Sequence, residues 1–487
     1  MQAHVRVDPA RDAVPFDRMI FGQFLEHFHR QVYGGVFEPG SPLADALGFR
    51  KDVIAALREL RVPIVRWPGG CFVSAYHWKD GVGPDRPPVY DKAWRVEEPN
   101  TFGTDEFVAW CRAIGAEPYI CTNAGTGTEE EMSDWVEYCN GRLGKWARRR
   151  EENGHPDPHN VKYWSIGNEN WGCYEIGVKK APEWAAFVTE SAKMMLRVDS
   201  SIHLLAAALT DTDWTLPLLR EAGGMLSYIS IHYYWDPLQF ENKVADYATC
   251  MMRSVQPEDM IRTAEGLLKV SGLEGRVAIA FDEWNLRGWH HPSLGNAVFG
   301  DVAARDKNDL NATYTMADAV FSACFLNSCL RHPRSVRMAC LAPGVNARGP
   351  LYVHPQGVVK RTTFHVMRMY GDSLAPCVSD CWSTSDPFEH DGQSVPALDA
   401  AATTNSERKT LILSLVNRHP VEELVCRIDI TGRVLRGPVA AEVLAGDGPD
   451  AFNDVDTPDR VVPRQVSLAV HDGAVRLPPH SITLCRV

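Results

Sequence analysis

Long apolar runs are missing from this chain of 487 residues. No stretch approaches the roughly 18 consecutive apolar residues that a membrane-spanning helix needs, so we expect no membrane partner. The N-terminal MQAHVRVDPARDAVPF also lacks the apolar core of a secretion signal. We therefore expect a cytoplasmic protein that acts on imported molecules.

A clustered basic surface is missing as well. The net charge is −12, and the one basic run, Arg148–Arg150, is followed at once by Glu151 and Glu152. Surfaces that bind nucleic acid are rich in lysine and arginine, so we expect no nucleic-acid partner. A neutral or cationic small molecule, or a polysaccharide, fits this charge better.

Spaced cysteine and histidine motifs are also absent. The 13 cysteines are scattered without CxxC, which is typical of reduced thiols rather than of a disulfide framework. No HxH pair combines with a lysine or a distant aspartate, so His27, His29 and His232 are not expected to bind a metal. The sequence has no GxSxG motif, so nothing in it indicates a serine hydrolase.

What the sequence does contain is an alternation of short apolar strands and amphipathic helices. Strand-like runs lie at 20–23, 63–67, 118–122, 163–167, 203–208, 228–232, 278–281 and 337–342. Helix-like segments lie at 50–60, 104–113, 129–138, 181–197, 215–221, 257–270, 310–330 and 363–370. This pattern predicts a (β/α)₈ TIM barrel. A doubly wound open sheet is the alternative, but no strand precedes the glycine-rich phosphate loop of that fold.

The pattern changes after about Asp372. Strand-like runs separated by Gly, Pro and Asn replace the helical periodicity, which predicts a C-terminal antiparallel β-sandwich, jelly-roll-like, over residues 373–487. Residues 1–15 contain a strand that we expect to join this sandwich. The predicted fold class is therefore α/β, with the catalytic barrel over residues 16–372.

Two glutamates follow opposite strands of the predicted barrel. Glu169 ends the fourth strand within VKYWSIGNENWG, and Glu283 follows the seventh. Because the carboxyl ends of barrel strands meet at one rim, the two side chains are predicted to face each other. Paired carboxyls suit glycosidic bond cleavage, in which one is protonated and the other ionised. Taken alone, Glu169 is interpreted as a solvated residue at a strand end.

Neighbouring rim residues suit the same chemistry. Asn168 has an amide that can hold a sugar hydroxyl, Arg66 can keep a carboxylate ionised, and Tyr234 can donate to a nucleophile. Tryptophans on which sugar faces can stack lie near the same rim, at Trp67, Trp78, Trp94, Trp171, Trp284 and Trp289. The plainer interpretation makes Arg66 a charge neutraliser and the tryptophans barrel caps.

Further segments follow one another in order from the first strand to the seventh. They are GQFLEH (22–27), RWPGGC (66–71), YHWKDGVGP (76–84), NTFGTDEF (100–107), EMSDWVEY (131–138), WSIGNEN (164–170), IHYYW (231–235) and FDEWN (281–285). Together they resemble the α-L-arabinofuranosidases of glycoside hydrolase family 51. The resemblance implies a retaining exo-glycosidase that releases terminal α-L-arabinofuranosyl residues from arabino-oligosaccharides. It also implies that no metal or other cofactor is needed and that the protein is a homo-oligomer, a hexamer in many relatives.

Carried over position by position, the resemblance implies roles for individual residues. Glu169 is the general acid/base and Glu283 is the nucleophile. The residues expected to bind substrate are Glu26, Cys71, Asn168, His232, Tyr234, Arg66, Trp94 and Arg361. Within this set, Arg66 supports the nucleophile and Trp94 lines the aglycone side.

Two positions depart from the family pattern. Arg287 stands four residues after the predicted nucleophile, where many relatives have an aromatic residue, although Trp289 is close by. Arg361 stands near a position where many relatives have a glutamine that reaches the sugar. Both are predicted at the rim, so galactofuranoside, β-xyloside and β-glucan substrates stay open. A sugar-binding protein without catalysis is the alternative from another class.

Overall fold

The computed structural model describes residues 1–11, 13–238, 243–288 and 309–487. Eight parallel strands close into a barrel in which each strand pairs with the next along the chain, and the eighth pairs with the first. The barrel strands are Gly22–Phe24, Ile64–Trp67, Glu117–Thr122, Tyr163–Ile166, His203–Ala207, Tyr228–Asp236, Ala278–Arg287 and Val336–Leu341. The predicted TIM barrel is therefore confirmed.

The sixth and seventh barrel strands extend beyond their predicted ends. They pair in parallel along residues 228–236 and 278–287, with one shift of register near His232. Consequently His232, Tyr234 and Glu283 belong to paired strands rather than to loops. Backbone pairing fixes the direction of each side chain, which suits a site whose groups must be held in place.

The helices form the outer layer of the barrel. They are α1 (Lys51–Glu59), α2 (Thr104–Ile114), α3 (Glu129–Asn140), α4 (Lys145–Glu152), α5 (Ala181–Val198), α6 (Thr212–Glu221), α7 (Tyr247–Arg253), α8 (Gln256–Val270), α9 (Met316–Arg331) and α10 (Thr362–Ser373). Within the four described stretches, no helix combines the length and apolar character needed to cross a membrane.

Three of these helices differ substantially from the predictions. Helix α9 begins six residues later than predicted, because Asn311–Thr313 forms a separate 3₁₀ turn and Thr315 caps the helix by accepting the N–H of Ala317. Helices α4 and α7 were not predicted. Only Ala147 and Arg150 are buried along α4, so its sequence carries little apolar periodicity. Helix α7 has only seven residues, about two turns, which is too short to show a period.

The C-terminal region forms one ten-stranded sheet, which confirms a sheet-rich domain. Its strands are Gln2–Asp8, Val14–Pro15, Cys377–Ser385, Leu398–Thr404, Leu411–Asn417, Leu424–Ile430, Val439–Ala445, Arg464–Leu468, Ala474–Leu477 and Ser481–Arg486. The N-terminal strand pairs antiparallel to Cys377–Ser385 and parallel to Leu424–Ile430. The parallel pair departs from the predicted antiparallel pattern, because no hairpin joins these two strands.

Helix α9 lies against both the barrel and the C-terminal sheet. Every residue from Met316 to Leu330 is buried, so the helix is covered around its circumference rather than along one stripe. Asn327 Nδ2 donates to Asp399 Oδ1 at 2.7 Å, and Arg331 Nη1 pairs with the same oxygen at 3.2 Å. The two parts of the chain therefore share one interior.

Side chains fill the inside of the barrel, so it is a packed core and not a pore. The cluster comprises Phe24, Ile64, Tyr119, Leu205, Tyr228, Ala278, Ala280, Met338, Cys340 and Ala342. This layer excludes water beneath the carboxyl ends of the strands. It gives the polar groups above it a floor of low dielectric constant, in which charge interactions are strong.

Candidate active site

The fourth barrel strand ends in a tight turn that places two polar side chains at the barrel mouth. Gly167 and Glu169 both have left-handed backbone conformations, with φ values of +69° and +45°. A Cβ at Gly167 would lie 2.1 Å from Asn170 Oδ1 and 2.6 Å from the Trp184 ring, so only glycine fits. A left-handed non-glycine residue costs about 1–3 kcal/mol, which the contacts of the Glu169 side chain must offset.

Glu283 lies on the seventh strand between two hydrogen-bond donors. Arg66 Nη1 donates to its Oε2 at 2.8 Å, and the Tyr234 hydroxyl donates to its Oε1 at 2.5 Å. Burial by itself would raise the pKa of Glu283. The charges of His232 and Arg66, together with the Tyr234 hydrogen bond, outweigh burial and lower that pKa. Glu283 is therefore an ionised carboxylate at neutral pH.

One guanidinium connects the fourth and seventh strands. Arg66 is fully buried, and its Nη2 donates to Asn168 Oδ1 at 2.7 Å while Nη1 contacts Glu283. Its Nε lies 3.4 Å from Asp282 Oδ2. A buried charge is costly unless it is paired and hydrogen-bonded, and here two carboxylates and an amide oxygen provide the pairing.

His232 lies between the two predicted catalytic carboxylates. Its Nδ1 is 2.9 Å from Glu169 Oε1 and 3.5 Å from Glu283 Oε2. Burial alone would lower the pKa of His232, but the carboxylates of Glu283 and Asp282 raise it to about 10. The ring is therefore an imidazolium. One oxygen each of Glu169 and Glu283 and one ring nitrogen lie within 4.8 Å of one another.

A third carboxylate, Asp282, lies beneath the site. It accepts hydrogen bonds from the hydroxyls of Tyr119 at 2.6 Å and Ser230 at 2.7 Å. Burial would raise the pKa of Asp282, but the charges of His232 and Arg66 and the hydrogen bonds lower it to about 2. Its permanent negative charge is one reason why a fully buried His232 keeps its proton.

Glu26 contributes a carboxyl that is neutral rather than ionised. Its Oε1 accepts from the backbone N–H groups of Gly70 at 3.0 Å and Phe72 at 3.2 Å, and from Trp94 Nε1 at 3.0 Å. Burial and the nearby charge of Glu283 nevertheless raise the pKa of Glu26 to about 8. At neutral pH this carboxyl is mostly protonated and can donate a hydrogen bond.

Cys71 and Glu175 line the side of the site next to Glu169. Single ligating atoms of these three residues lie within 4.8 Å of one another. Burial is the largest cause that raises the pKa of the Cys71 thiol well above its ordinary value, and it raises the pKa of Glu175 to about 7. Glu175 Oε2 accepts from Asn168 Nδ2 at 3.3 Å. Cys71 is thus a neutral thiol and not a nucleophile.

Most of the predicted site residues come together at this mouth. They are Glu26, Arg66, Cys71, Trp94, Asn168, Glu169, His232, Tyr234 and Glu283. Each is linked to another member by a hydrogen bond, an ion pair or a contact within the 4.8 Å clusters. The roles that we assign to them stay predictions.

Arg361 has other partners. Its guanidinium donates to Asn311 Oδ1 at 2.7 Å, to Asp309 Oδ1 at 2.7 Å and to the carbonyls of Ala347 and Gly349. These acceptors belong to the segments before α9 and after the eighth barrel strand. The structure therefore gives Arg361 a structural role there, and its contact with a substrate stays a prediction.

The expectation that Arg287 faces the rim is wrong. Its side chain is 1% exposed, and it pairs with Asp236 at 2.8 Å and with Asp318 at 3.2 Å. The seventh strand continues through Arg287, and the side chain points to the buried start of α9 instead of the barrel mouth. Trp289, the other residue considered for the rim, lies outside the described residues, as do His290 and His291.

Several residues of the site were not predicted. Three of them adjoin the predicted motifs in the sequence, namely Asp282, Tyr174 and Glu175. Their polar side chains beside the catalytic positions were the signal by which they could have been predicted. The Tyr174 hydroxyl donates to Glu169 Oε2 at 2.8 Å. Arg348 Nη2 donates to the Tyr234 hydroxyl at 2.9 Å, and its position after the eighth strand was the signal for it.

Sequence-family models match most of the chain. The family described as "Alpha-L-arabinofuranosidase 1 domain" matches residues 56–252, and "Alpha-L-arabinofuranosidase C-terminal domain" matches residues 282–481. The first match covers the second to the sixth barrel strands. The second begins at the seventh strand and continues through most of the C-terminal sheet.

Individual proteins are similar over nearly the whole length. Alpha-L-arabinofuranosidase C of Emericella nidulans is 32% identical over 99% of this chain and 97% of its own. An "intracellular exo-alpha-(1->5)-L-arabinofuranosidase" of Halalkalibacterium halodurans is 35% identical over 88% of this chain and 87% of its own. The crystal structure of the Thermotoga maritima alpha-L-arabinofuranosidase in its arabinose complex superposes with a TM-score of 0.89, at 33% identity and full coverage of both chains.

The proton on Glu26 makes stability depend on pH. A carboxyl whose pKa is about 8 when folded holds a proton that the unfolded chain releases above about pH 4.3. Between these values the folded state binds more protons, so stability falls as pH rises, by up to about 1.4 kcal/mol per pH unit. We expect Glu26→Gln, which imitates the protonated form, to gain stability relative to the wild type from pH 5 to pH 8.

Urea midpoints measured across this range check the expectation. Glu97→Gln is the matched control, because Glu97 is an exposed glutamate on the strand Val96–Glu98. Its difference from the wild type should stay constant with pH. Parallel curves for Glu26→Gln and the wild type would contradict a protonated Glu26.

Proposed function

This chain belongs to the α-L-arabinofuranosidases of glycoside hydrolase family 51, and on that premise we propose that it is a retaining exo-glycosidase. It releases terminal, non-reducing α-L-arabinofuranosyl residues from arabino-oligosaccharides. The observation that carries this proposal is the opposition of Glu169 and Glu283, of which Glu283 is the one that Arg66 and Tyr234 contact.

Glu283 acts as the nucleophile in this proposal. Two donors and the charge of His232 keep it ionised, and ionisation is what attack on the anomeric carbon requires. The bond to the leaving oxygen breaks as the bond to Glu283 forms, giving a covalent glycosyl-enzyme. Arg66 and Tyr234 hold the carboxylate in one orientation, so little reorganisation precedes attack.

Glu169 acts as the acid in the first step and the base in the second. It delivers a proton to the leaving oxygen, and it then takes a proton from the water that attacks the glycosyl-enzyme. The left-handed turn after Gly167 presents its carboxyl opposite Glu283. Its two oxygens contact His232 and Tyr174, which orient the group between the two steps.

The carboxyl spacing supports retention of the anomeric configuration. Retaining glycosidases hold the two groups about 5–5.5 Å apart, whereas inverting enzymes need about 6.5–9.5 Å to fit a water between them. Here one oxygen of Glu169 and one of Glu283 lie within 4.8 Å. This gap is too small for the water that an inverting enzyme places between its two carboxyls.

The sugar is held by the groups around the two acids. Asn168 has its amide orientation fixed, because Arg66 donates to its oxygen and one N–H of its NH₂ group donates to Glu175. The second N–H is left for a sugar hydroxyl beside the reacting carbon. Protonated Glu26 and neutral Cys71 offer further hydrogen bonds to hydroxyls. Trp94, which is held by Glu26, provides an apolar face on the aglycone side.

Other parts of the proposal rest on the family resemblance. We assign catalysis to residues 16–372 and a supporting role to residues 1–15 and 373–487. A cytoplasmic location is in keeping with the name of the Halalkalibacterium halodurans relative, which includes the word intracellular. A homo-oligomer, with a hexamer as the family's usual form, is carried forward on the same ground.

Replacing either acid should give a distinct kinetic result. We expect Glu283→Ala to abolish turnover of aryl α-L-arabinofuranosides, since no covalent intermediate forms. Glu169→Ala should keep activity on substrates with good leaving groups, and azide should accelerate it by attacking the glycosyl-enzyme in place of activated water. Product analysis should then find an arabinofuranosyl azide. Glu97→Ala is the control, and wild-type behaviour of Glu169→Ala on every aryl glycoside would refute the assignment.

Tyr234→Phe should slow the second step. Glu283 departs there as a carboxylate, and a hydrogen bond to a charged group contributes about 1.5–3 kcal/mol, or about ten- to hundredfold in kcat. Because the glycosyl-enzyme then accumulates, a burst of aryl release should precede the steady state. Tyr233→Phe is the matched control, since Tyr233 is 46% exposed on the other side of the strand. Equal kcat values for the two variants would contradict this role.

Substrate comparison separates the alternatives that use the same two acids. We expect kcat/KM for an aryl α-L-arabinofuranoside to exceed those for the β-D-galactofuranoside, β-D-xyloside and β-glucan counterparts by at least about tenfold. Product analysis on arabinan and arabinoxylan oligosaccharides then identifies the linkage. Preference for another glycoside would reassign the substrate while keeping Glu169 and Glu283, and binding without product would indicate a sugar-binding protein.

A further inference from the structure

Outside the candidate active site, two histidines and an aspartate converge between helices α2 and α4. We propose that Asp105, His155 and His159 form a structural site for a divalent transition-metal ion, with zinc as the best fit. One ligating atom of each residue lies within 4.8 Å of the other two. Imidazole nitrogens combined with one carboxylate are a ligand set that zinc, cobalt and nickel accept.

The distances already resemble those of a coordination shell. His159 Nε2 lies 2.8 Å from Asp105 Oδ1, and His155 Nε2 lies 3.6 Å from Asp105 Oδ2. Ligands about 2.0–2.1 Å from a tetrahedral zinc ion are about 3.3 Å from one another, so each nitrogen lies within about 0.5 Å of that distance from the carboxylate oxygen that it faces. Small side-chain shifts are enough to admit the ion, and water would complete the shell.

The backbone that carries the two histidines is held in place. Fully buried Arg150 donates from Nε to the carbonyl of His155 at 3.0 Å, and Arg112 donates to the carbonyl of His159 at 2.7 Å. The segment HPDPH between them contains two prolines, which restrict its backbone further. Ligands fixed before binding lose less entropy when a metal arrives.

Asp105 is oriented by a group that does not bind the metal. The Tyr138 hydroxyl donates to its two oxygens at 3.1 and 2.8 Å, and Asn153 Nδ2 donates in turn to that hydroxyl at 3.1 Å. Hydrogen bonds of this kind fix ligand orientation in metal sites. Oδ2 keeps a free lone-pair direction, because each carboxylate oxygen accepts about two hydrogen bonds and, among the described residues, Tyr138 donates the one that Oδ2 receives.

The simpler interpretation is a buried ion pair between His159 and Asp105. Both residues are 5% exposed, and that pair accounts for them. It does not account for His155, which directs Nε2 at the same carboxylate although 39% of its side chain is exposed. A partly exposed third ligand also gives an ion access from solvent.

The electrostatics favour a cation here more than at the candidate active site. There, the Glu169, His232 and Glu283 cluster already holds the guanidinium of Arg66 and a charged imidazolium. Among the described residues, no lysine or arginine forms an ion pair with Asp105. A bound ion would connect the start of α2 to residues 153–160, which lead directly into the fourth barrel strand.

Metal binding can be measured on the whole protein after treatment with a chelator. We expect the wild type to retain one tightly bound equivalent of zinc after dialysis and to melt at a higher temperature with it. His155→Ala should no longer retain that equivalent, and its affinity for zinc should be at least about tenfold lower. Its glycosidase activity should equal that of the wild type. It leaves the pair of His159 with Asp105 intact, so the variant should fold. Cobalt should give the intense visible absorption of a tetrahedral site, and His155→Ala should lose that absorption.

Controls distinguish this site from other ligands. His471→Ala removes an exposed histidine elsewhere and should bind zinc as the wild type does. Cys173→Ser removes the exposed thiol, and Glu169→Gln disrupts the ligating clusters of the active site. The proposal is overturned if the wild type retains no zinc, if His155→Ala retains the same amount, or if the tight equivalent disappears in Cys173→Ser or Glu169→Gln.

Discussion

The ion pair of Arg66 with Glu283 is the interaction on which the rest of the site depends. A guanidinium without access to water must have a negative partner, and the same group that satisfies Arg66 is the one that must be ionised to attack a sugar. Its second branch fixes the amide of Asn168. Arg66, on the second barrel strand, therefore keeps Glu283 ionised on the seventh strand and fixes the amide orientation of Asn168 at the end of the fourth.

The surroundings of each carboxyl in the site, rather than its chemical type, determine its pKa. Glu283 and Asp282 face His232 and Arg66, and their pKa values lie below the ordinary range. Glu26 is buried and lies near the charge of Glu283, and these two causes outweigh its hydrogen bonds and raise its pKa to about 8. Carboxyls of the same kind thus serve as anion and as neutral hydrogen-bond donor within one pocket. The positive ring of His232 makes the crowding tolerable, since like charges at this spacing otherwise repel strongly.

Strands and helices with clear periodicity were predictable, and so were the acids that follow them. The run ending in Gly167-Asn168-Glu169 is an example, because its apolar residues stop abruptly where the polar end of the strand reaches the rim. Helix α4 and the late start of α9 were not predictable, since a lysine- and arginine-rich helix and a capped 3₁₀ turn leave little apolar pattern. Arg287 shows the limit most clearly. Whether an arginine faces a cleft or a buried aspartate depends on how far its strand continues, and that is set by pairing with a neighbour distant in sequence.

The pairing of strand Gln2–Asp8 has a consequence for how the protein is made. Its partners are Cys377–Ser385 and Leu424–Ile430, and the amino group of Met1 donates to the carbonyl of Glu423, 422 residues away. This strand therefore leaves the ribosome long before either partner, and it cannot be buried between them until both have been made. The barrel has time to fold during synthesis, whereas an edge carrying Val5 and Val7 stays open until the strand Leu424–Ile430 follows. In a growing chain, that open edge is the place most exposed to unwanted association with a neighbour.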